Sequence, residues 1–397
     1  MTDNQPAAVD ASTLAALRDV VSGFVQRELL PLERTVQRRE AERGLGAEPL
    51  IPADAHERLL KESAALDLWG LDVPQGLGGQ GLGMVGKMIA VEELNRSIVP
   101  FRLPPESPNL FFLNEACVGD QIEEYLMPYA RGEKRASLAL TEPGAGSDAG
   151  AIQTVAQRRS GGWSLRGTKR FISWADTADF FIVIAVTDRE KRTRGGMTAF
   201  LVDRAAPGLE IGPHAATMGE PTPYELMLDD CFVPDELILG QVGNAFGPLT
   251  KRLGLRRVEM GARSIGMGER LVEMMVSYAH DRSTFGSPLA DRQIVQSWIA
   301  DSVIDIHATR LMVRDAAEKI DAGTGGHRLE ASAVKVFGTE MISRISDRAV
   351  QLYGGAGLTK ELPIEYIYRN SRFMRIMEGP SEIHRVQLAK QRLRGPR

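Results

Sequence analysis

Phe180-Phe-Ile-Val-Ile-Ala-Val186 is an unbroken run of β-favouring residues, and its reading divides the chain. A run this short, rich in aromatic and β-branched side chains, predicts a strand. Met197-Thr-Ala-Phe-Leu-Val202 repeats the pattern downstream, and Trp163-Ser-Leu-Arg166 alternates apolar with polar residues after a Gly161-Gly162 turn. Together they predict a sheet domain over residues 131–242. On either side the apolar period changes. Leu14, Leu17, Val21 and Phe24 step by three and four, one face of a helix in a domain spanning 1–130. Val295, Ile299, Val303 and Ile306, then Val334, Phe337, Met341 and Ile345, predict long amphipathic helices in a bundle domain over 243–397. Gly323-Thr-Gly-Gly326 reads as the connection between those two helices. The fold class is therefore α+β, in the order helical, sheet, helical.

Bulk properties narrow the function. The 397 residues suffice for two or three domains. A formal net charge of -4 supplies no field to attract nucleic acid, so any anionic ligand must be held by local arginines. No apolar run approaches the roughly 20 residues that span a bilayer, and no membrane insertion is expected. Residues 1–13 carry Asp3 and Asp10 but no basic residue, unlike a signal or transit peptide. Cys117 and Cys231 stand far apart, and no His/Cys cluster has metal-ligand spacing. The expectation is a soluble, metal-free protein of a reducing, cytoplasmic compartment.

Five strings carry chemistry. In Ala139-Leu-Thr-Glu-Pro-Gly-Ala-Gly-Ser-Asp148 small residues let a ligand approach the backbone, with Thr141 and Ser147 supplying hydroxyls. Lys169-Arg-Phe-Ile-Ser-Trp-Ala175 sets an aromatic residue beside a hydroxyl. Asp281-Arg-Ser-Thr-Phe-Gly-Ser-Pro-Leu289, followed by Gln293, offers an arginine suited to a pyrophosphate. Gln351-Leu-Tyr-Gly-Gly-Ala-Gly-Leu358 places glycines at a helix end. In Arg375-Ile-Met-Glu-Gly-Pro-Ser-Glu-Ile-His-Arg385 a glutamate precedes a glycine. Taken singly, each has an ordinary structural reading as a turn, a strand residue, a helix stop or a surface carboxylate. The cluster Gly76-Leu-Gly-Gly-Gln-Gly-Leu-Gly83 lacks the lysine of a phosphate-binding loop and reads as a plain loop.

In combination the five strings resemble those of the acyl-CoA dehydrogenases, over about residues 10 to 395. The resemblance implies a barrel-like middle sheet domain, a C-terminal four-helix bundle and an FAD cofactor lying across a subunit interface. It assigns Leu138, Leu140, Thr141, Gly146, Ser147, Phe171, Ile172 and Ser173 to the flavin. Arg282, Phe285, Gln293, Gln351, Gly354, Gly355, Pro380 and Glu382 become its other contacts, partly from a neighbouring copy. Glu378 becomes the base that removes the α-proton of an acyl-CoA, its own N–H polarising the thioester carbonyl. Ser147, Arg257 and Gly379 become substrate contacts. A glutamate suits this task where apolar surroundings raise its pKa, and Met374, Ile376 and Met377 precede Glu378. Some relatives carry the base instead just before an arginine on an earlier helix; here Arg256 takes that place before Arg257, and Glu259 misses it. Trp174 departs from the family's small or amide residue. Met377, Gly254 and Gly261 are expected near the acyl pocket. An electron-transfer flavoprotein is the implied acceptor and a dimer or tetramer the implied assembly. An oxidase, a dehydrogenase acting on an acyl carrier protein and a non-catalytic FAD binder of the same fold stay open at this stage.

Overall fold

The computed structural model describes residues 9–106, 108–323 and 328–393. Helices come first: α1 (Ala11–Phe24), α2 (Glu33–Arg43), α3 (Ala53–Ala65), α4 (Gly83–Leu94), α5 (Asn109–Ala116) and α6 (Met127–Ala130). Strands follow: β1 (Ala136–Ala139), β2 (Val155–Arg159), β3 (Gly162–Ser173), β4 (Phe180–Val186), β5 (Met197–Asp203), β6 (Leu209–His214), β7 (Pro223–Pro234) and β8 (Ile238–Leu239). Helices then return as α7 (Phe246–Asp281), α8 (Gln293–Asp321), α9 (Arg328–Tyr353), α10 (Pro363–Met374) and α11 (Ser381–Leu393), with a small hairpin, β9 (Ser283–Thr284) and β10 (Ser287–Pro288), after α7. Two compact units result. One contains the chain up to Pro74, Gly81–Arg102 and everything from Arg256; the other contains Gln75–Gln80 and Leu103–Leu255, the division falling inside α7.

In the sheet-bearing unit the strands run in the order β6-β7-β3-β2-β4-β5-β8, with β1 parallel to β4. Every residue of β4 is buried, as its composition requires. Phe181, Val183, Phe200, Leu226 and Leu165 form the centre of its core, each contributing about 2–3 kcal/mol by burial. Cys231 is buried in the same core, where loss of hydration pushes its thiol up to about 11.

The helical unit follows its apolar periods with one shift. On α1, Leu17, Val21 and Phe24 are buried. On α8 the inward face is Val295, Ser302, Ile306, Thr309 and Val313, whereas Val303 is 51% exposed. The stripe expected through Val303 is thus rotated by one residue: Ser302 and Thr309 go inward, because their hydroxyls donate to Trp298 O and Asp305 O one turn back. Gly261 serves helix packing rather than an acyl pocket, since a Cβ there would lie 2.3 Å from Val334 and 2.7 Å from Val313. Gly83 opens α4 at φ +64, where Asp321 at the end of α8 accepts from Met84 N and Val85 N at 2.7 and 3.1 Å. A side chain on Gly83 would collide with that capping carboxylate. Of the Gly323–Gly326 connection, residues 324–326 lie outside the described residues, as do residues 1–8 of the N-terminal stretch. No helix among the described residues is long and apolar enough to cross a membrane.

Candidate active site

In the sheet-bearing unit the first two strings are brought together. Along β1, Ser137 and Ala139 point inward, leaving Leu138 and, just beyond the strand, Leu140 half-buried. The following turn is pinned from β3 by a buried ion pair. Lys169 Nζ lies 2.7 Å from Glu142 Oε1 and donates to Leu140 O at 3.1 Å. Glu142 also accepts from Gln153 N and Thr154 N, and Thr141 O accepts from Arg170 N at 2.8 Å. Burial pushes Lys169 down to about 8, with Glu142 opposing the shift. Both residues lie inside the quoted strings without a chemical signal of their own, and here they hold the loop. Within that loop Thr141 is half-buried, while Gly146 and Ser147 are exposed. A Cβ on Gly144 or Gly146 would meet nothing within 4 Å, so this side of the turn is open.

A bulge in β3, between Lys169 and Ile172, separates the fates of two neighbouring residues. Phe171 takes φ +58 and leaves its ring 52% exposed, with the Arg170 guanidinium 5.0 Å from its centroid. Ile172 is buried among the core residues, so its side chain is unavailable and only its backbone can meet a ligand. Ser173 is half-buried and its carbonyl accepts from Ser137 Oγ at 2.8 Å. Trp174, the residue that departs from the family string, also has positive φ, +64. Such conformations cost roughly 1–3 kcal/mol each in non-glycine residues.

In the helical unit, Arg282, Gln293, Gln351, Gly354 and Gly355 are all exposed. Phe285 and Gly286 turn the β9–β10 hairpin with φ +51 and +82, the positive pair of a tight two-residue turn. Phe285 stands at its tip fully exposed, at 100%. Gly354 (φ +58) and Gly355 have open space where a side chain would go, whereas a Cβ on Gly357 would press on Val350 O at 2.7 Å. Only Gly357 is thus explained by packing.

Glu378 follows α10 and has φ +55, with Gly379 at +95 after it. The backbone from Arg375 to Glu378 is clamped from three helices. Arg257 Nε of α7 donates to Glu378 O at 3.1 Å, and His384 Nε2 of α11 reaches the same oxygen at 3.0 Å. Lys335 Nζ of α9 donates to Arg375 O at 2.9 Å. Because the carbonyl only accepts, His384 carries its proton on Nε2, and Nδ1 accepts from Ser332 Oγ at 3.2 Å. Burial and the neighbouring Arg257 charge push His384 down to about 4, and burial and Arg257 push Lys335 down to about 8. Pro380 and exposed Glu382 flank the start of α11.

The surroundings of the Glu378 carboxylate correct one expectation. An apolar wall was expected, but Ile376 is 57% exposed and Met374 is buried in the helix packing. The carboxylate instead meets a guanidinium: Arg256 Nε lies 3.9 Å from Glu378 Oε1, and the Arg256 Nη1 is ion-paired with Glu259. The cause lies in α7. A residue one turn before Glu259 on the same helix face must point at it, and Arg256 and Glu259 are both buried. Glu259 is held below its usual range by Arg256 and Lys87, against the opposing effect of burial. Arg257 occupies a positioning place on the Glu378 backbone.

Comparison with known proteins then decides the family. The acyl-CoA dehydrogenase N-terminal domain matches residues 12–133, the middle domain 137–231 and the C-terminal domain 246–393. The chain belongs to the acyl-CoA dehydrogenase family. Within this family of oxidoreductases it is similar to the (R)-benzylsuccinyl-CoA dehydrogenase of Thauera aromatica, 45% identical over 383 residues covering 95% of this chain and 94% of that protein. It is also similar to CarC, a subunit of the caffeyl-CoA reductase-Etf complex of Acetobacterium woodii, 33% identical over 84% of this chain and 89% of that protein. Among solved structures, the FAD complex of PigA superposes with a TM-score of 0.86 at 26% identity, covering 98% of this chain and 99% of that one. The three-domain acyl-CoA dehydrogenase fold is accordingly that of this chain.

Proposed function

We propose that this acyl-CoA dehydrogenase family member desaturates the α,β bond of an acyl-CoA thioester to the trans-2-enoyl-CoA, with Glu378 as the base and FAD as cofactor. The observation that carries the proposal is the Glu378 clamp. A non-glycine residue held at φ +55 by two donors on its carbonyl, its carboxylate beside Arg256, is strain retained for a purpose.

The residues present fit an FAD. Phe171 keeps its ring exposed at a strained bulge, the turn at Gly144–Gly146 is open, and Phe285 stands on an exposed hairpin beside Arg282. Thr141, Ser147, Phe171 and Ser173 would hold the flavin end, with Leu138, Leu140, Gly146 and the Ile172 backbone against it. Arg282, Phe285, Gln293, Gln351, Gly354, Gly355, Pro380 and Glu382 would hold the rest, partly on a second copy. When bound, FAD supplies an acceptor for the β-hydrogen and its electron pair.

The chain's own part is a proton transfer and its preparation. The carboxylate of Glu378 accepts the α-proton, while the Glu378 N–H donates to the thioester oxygen and stabilises the charge that develops there. Arg257 and His384 keep the peptide in the conformation this requires, and Gly379 gives the substrate access to the backbone. The Arg256 guanidinium lies beside that carboxylate, 3.9 Å from Oε1. Relatedness to a subunit of an Etf complex supports an electron-transfer flavoprotein as the acceptor. A homo-oligomer is supported by the exposure of Phe285 and of Ile304 and Leu311 on α8.

The purified protein should carry the visible flavin band, and an acyl-CoA added without oxygen should bleach it. Because the relative from Thauera aromatica is named for (R)-benzylsuccinyl-CoA, that thioester is the first to try. Glu378→Gln should slow bleaching about 10²- to 10⁴-fold while FAD stays bound. Bleaching at the wild-type rate would overturn the base assignment.

A further inference from the structure

A charge network behind Glu378 is larger than a base needs. Lys87 Nζ lies 2.7 Å from Asp72 Oδ2 and 3.5 Å from Glu259 Oε1, and Glu259 in turn pairs with Arg256. Arg102 adds its field to Glu259, and Arg263 feels Arg256, Glu259 and Glu378. Arg256, Glu259 and Arg263 are spaced three and four apart, so they share one face of α7. Four cations (Lys87, Arg102, Arg256, Arg263) thus meet three carboxylates (Asp72, Glu259, Glu378), and Asp321 adds a fourth through its coupling to Asp72. When Glu378 takes up a proton the network loses one negative charge.

Arg263 is a member of the network with an unused donor. Its Nε donates to Asn95 Oδ1 at 3.1 Å, yet its Nη1 is buried with no hydrogen-bond partner among the described residues. Burial and then the Arg256 charge push this guanidinium down to about 10, against the opposing effect of Glu259 and Glu378. A buried cationic N–H left unpaired is costly, and the cost falls when an anion is supplied. The end of a fatty acyl chain cannot supply one; a carboxylate can, by charge-assisted bonds.

Resting on the desaturation proposed above, we infer that Arg263, with Arg256 and Arg102, recognises a free carboxylate on the acyl group, so that the substrates are dicarboxylic acyl-CoA thioesters. Arg263 offers the unpaired donor, Arg256 links that donor's field to the base, and Lys87 with Asp72 fixes Glu259 so that Arg256 keeps its place. All of these are specificity or positioning residues; Glu378 alone touches the proton.

The test uses the FAD-loaded protein under anaerobic conditions with matched pairs: glutaryl-CoA against valeryl-CoA, and 2-benzylsuccinyl-CoA against 2-benzylbutyryl-CoA. The wild type should prefer the carboxylate member of at least one pair by about tenfold or more in kcat/KM. Arg263→Met should shrink that preference about 10- to 100-fold, mainly through KM, and Arg263→Lys should recover part of it. Arg102→Met provides the same readout if Arg263→Met fails to fold. Equal use of both members by the wild type would overturn the inference, as would variants that slow both members alike. Rapid reduction by valeryl-CoA but not by either dicarboxylic thioester would overturn this inference and leave the desaturation standing. Reduction by no thioester would overturn both.

Discussion

The loop around Thr141 and the loop around Glu378 are built alike and balanced differently. Each is pinned by a fully buried lysine that donates to a main-chain carbonyl, Lys169 to Leu140 O and Lys335 to Arg375 O. Each presents a site residue at positive φ, Phe171 in one and Glu378 in the other. In the first, the lysine has its own carboxylate, Glu142, at 2.7 Å. In the second, Lys335 has no ion-pair partner among the described residues; Arg257 opposes its charge, and Glu378, Glu340 and Glu382 favour it from farther away. A closed ion pair makes a rigid frame. A lysine held by a carbonyl alone leaves its charge without a paired carboxylate.

Breaking each lysine separates the two cases. Lys169→Met leaves Glu142 buried without its partner and should destabilise the protein by about 3–5 kcal/mol, measured by urea unfolding. Lys335→Met removes a cation that burial already disfavours, so it should cost only about 1–2 kcal/mol for the lost bond to Arg375 O, while flavin reduction slows. Equal losses of stability in the two variants would remove the contrast.

His384 sharpens the same contrast through pH. Its folded value of about 4 lies below the unfolded value of 6.5, so its neutral form is bound into the native state. The stability it contributes is fully present above pH 6.5 and is lost as pH falls through 6.5 towards 4, where the unfolded chain takes up the proton first. The loss from this residue should reach about 3 kcal/mol. Unfolding of wild type and His384→Gln across that window should show the slope in the first and its removal in the second.

The smallest effect concerns strain. Phe171→Gly relieves the left-handed conformation and should raise the stability of the FAD-free protein by about 1 kcal/mol, while weakening FAD retention. Thermal unfolding without FAD and FAD release by ultrafiltration check the two halves. A variant that is no more stable would place the strain elsewhere.

Much of this was legible in the residues and some was not. The helical, sheet, helical order follows from period changes around Phe180–Val186, because burial on both strand faces and on one helix face leaves different traces. The strained positions coincide with the strings: of the non-glycine residues with positive φ, Phe171, Trp174, Phe285 and Glu378 all lie within them. What the strings could not reveal is set by contacts far apart in sequence. The choice of Ser302 over Val303 for the core depends on hydroxyls bonding back to their own helix. The burial of Ile172 beside exposed Phe171 depends on a bulge opposite β7. The cationic setting of Glu378 depends on α4 and α7 bringing Lys87, Arg256 and Arg263 into one network. Arg256 fills the place of an alternative base in the sequence, and only the fold places its guanidinium 3.9 Å from the Glu378 carboxylate.

The most direct measurement is deuterium uptake at the α-carbon of a thioester held by the FAD-loaded protein in D₂O, read by mass spectrometry. Wild type should exchange that hydrogen, and Glu378→Gln should leave it in place although the thioester still binds. Exchange at an undiminished rate in Glu378→Gln would contradict the assignment of Glu378 as the base.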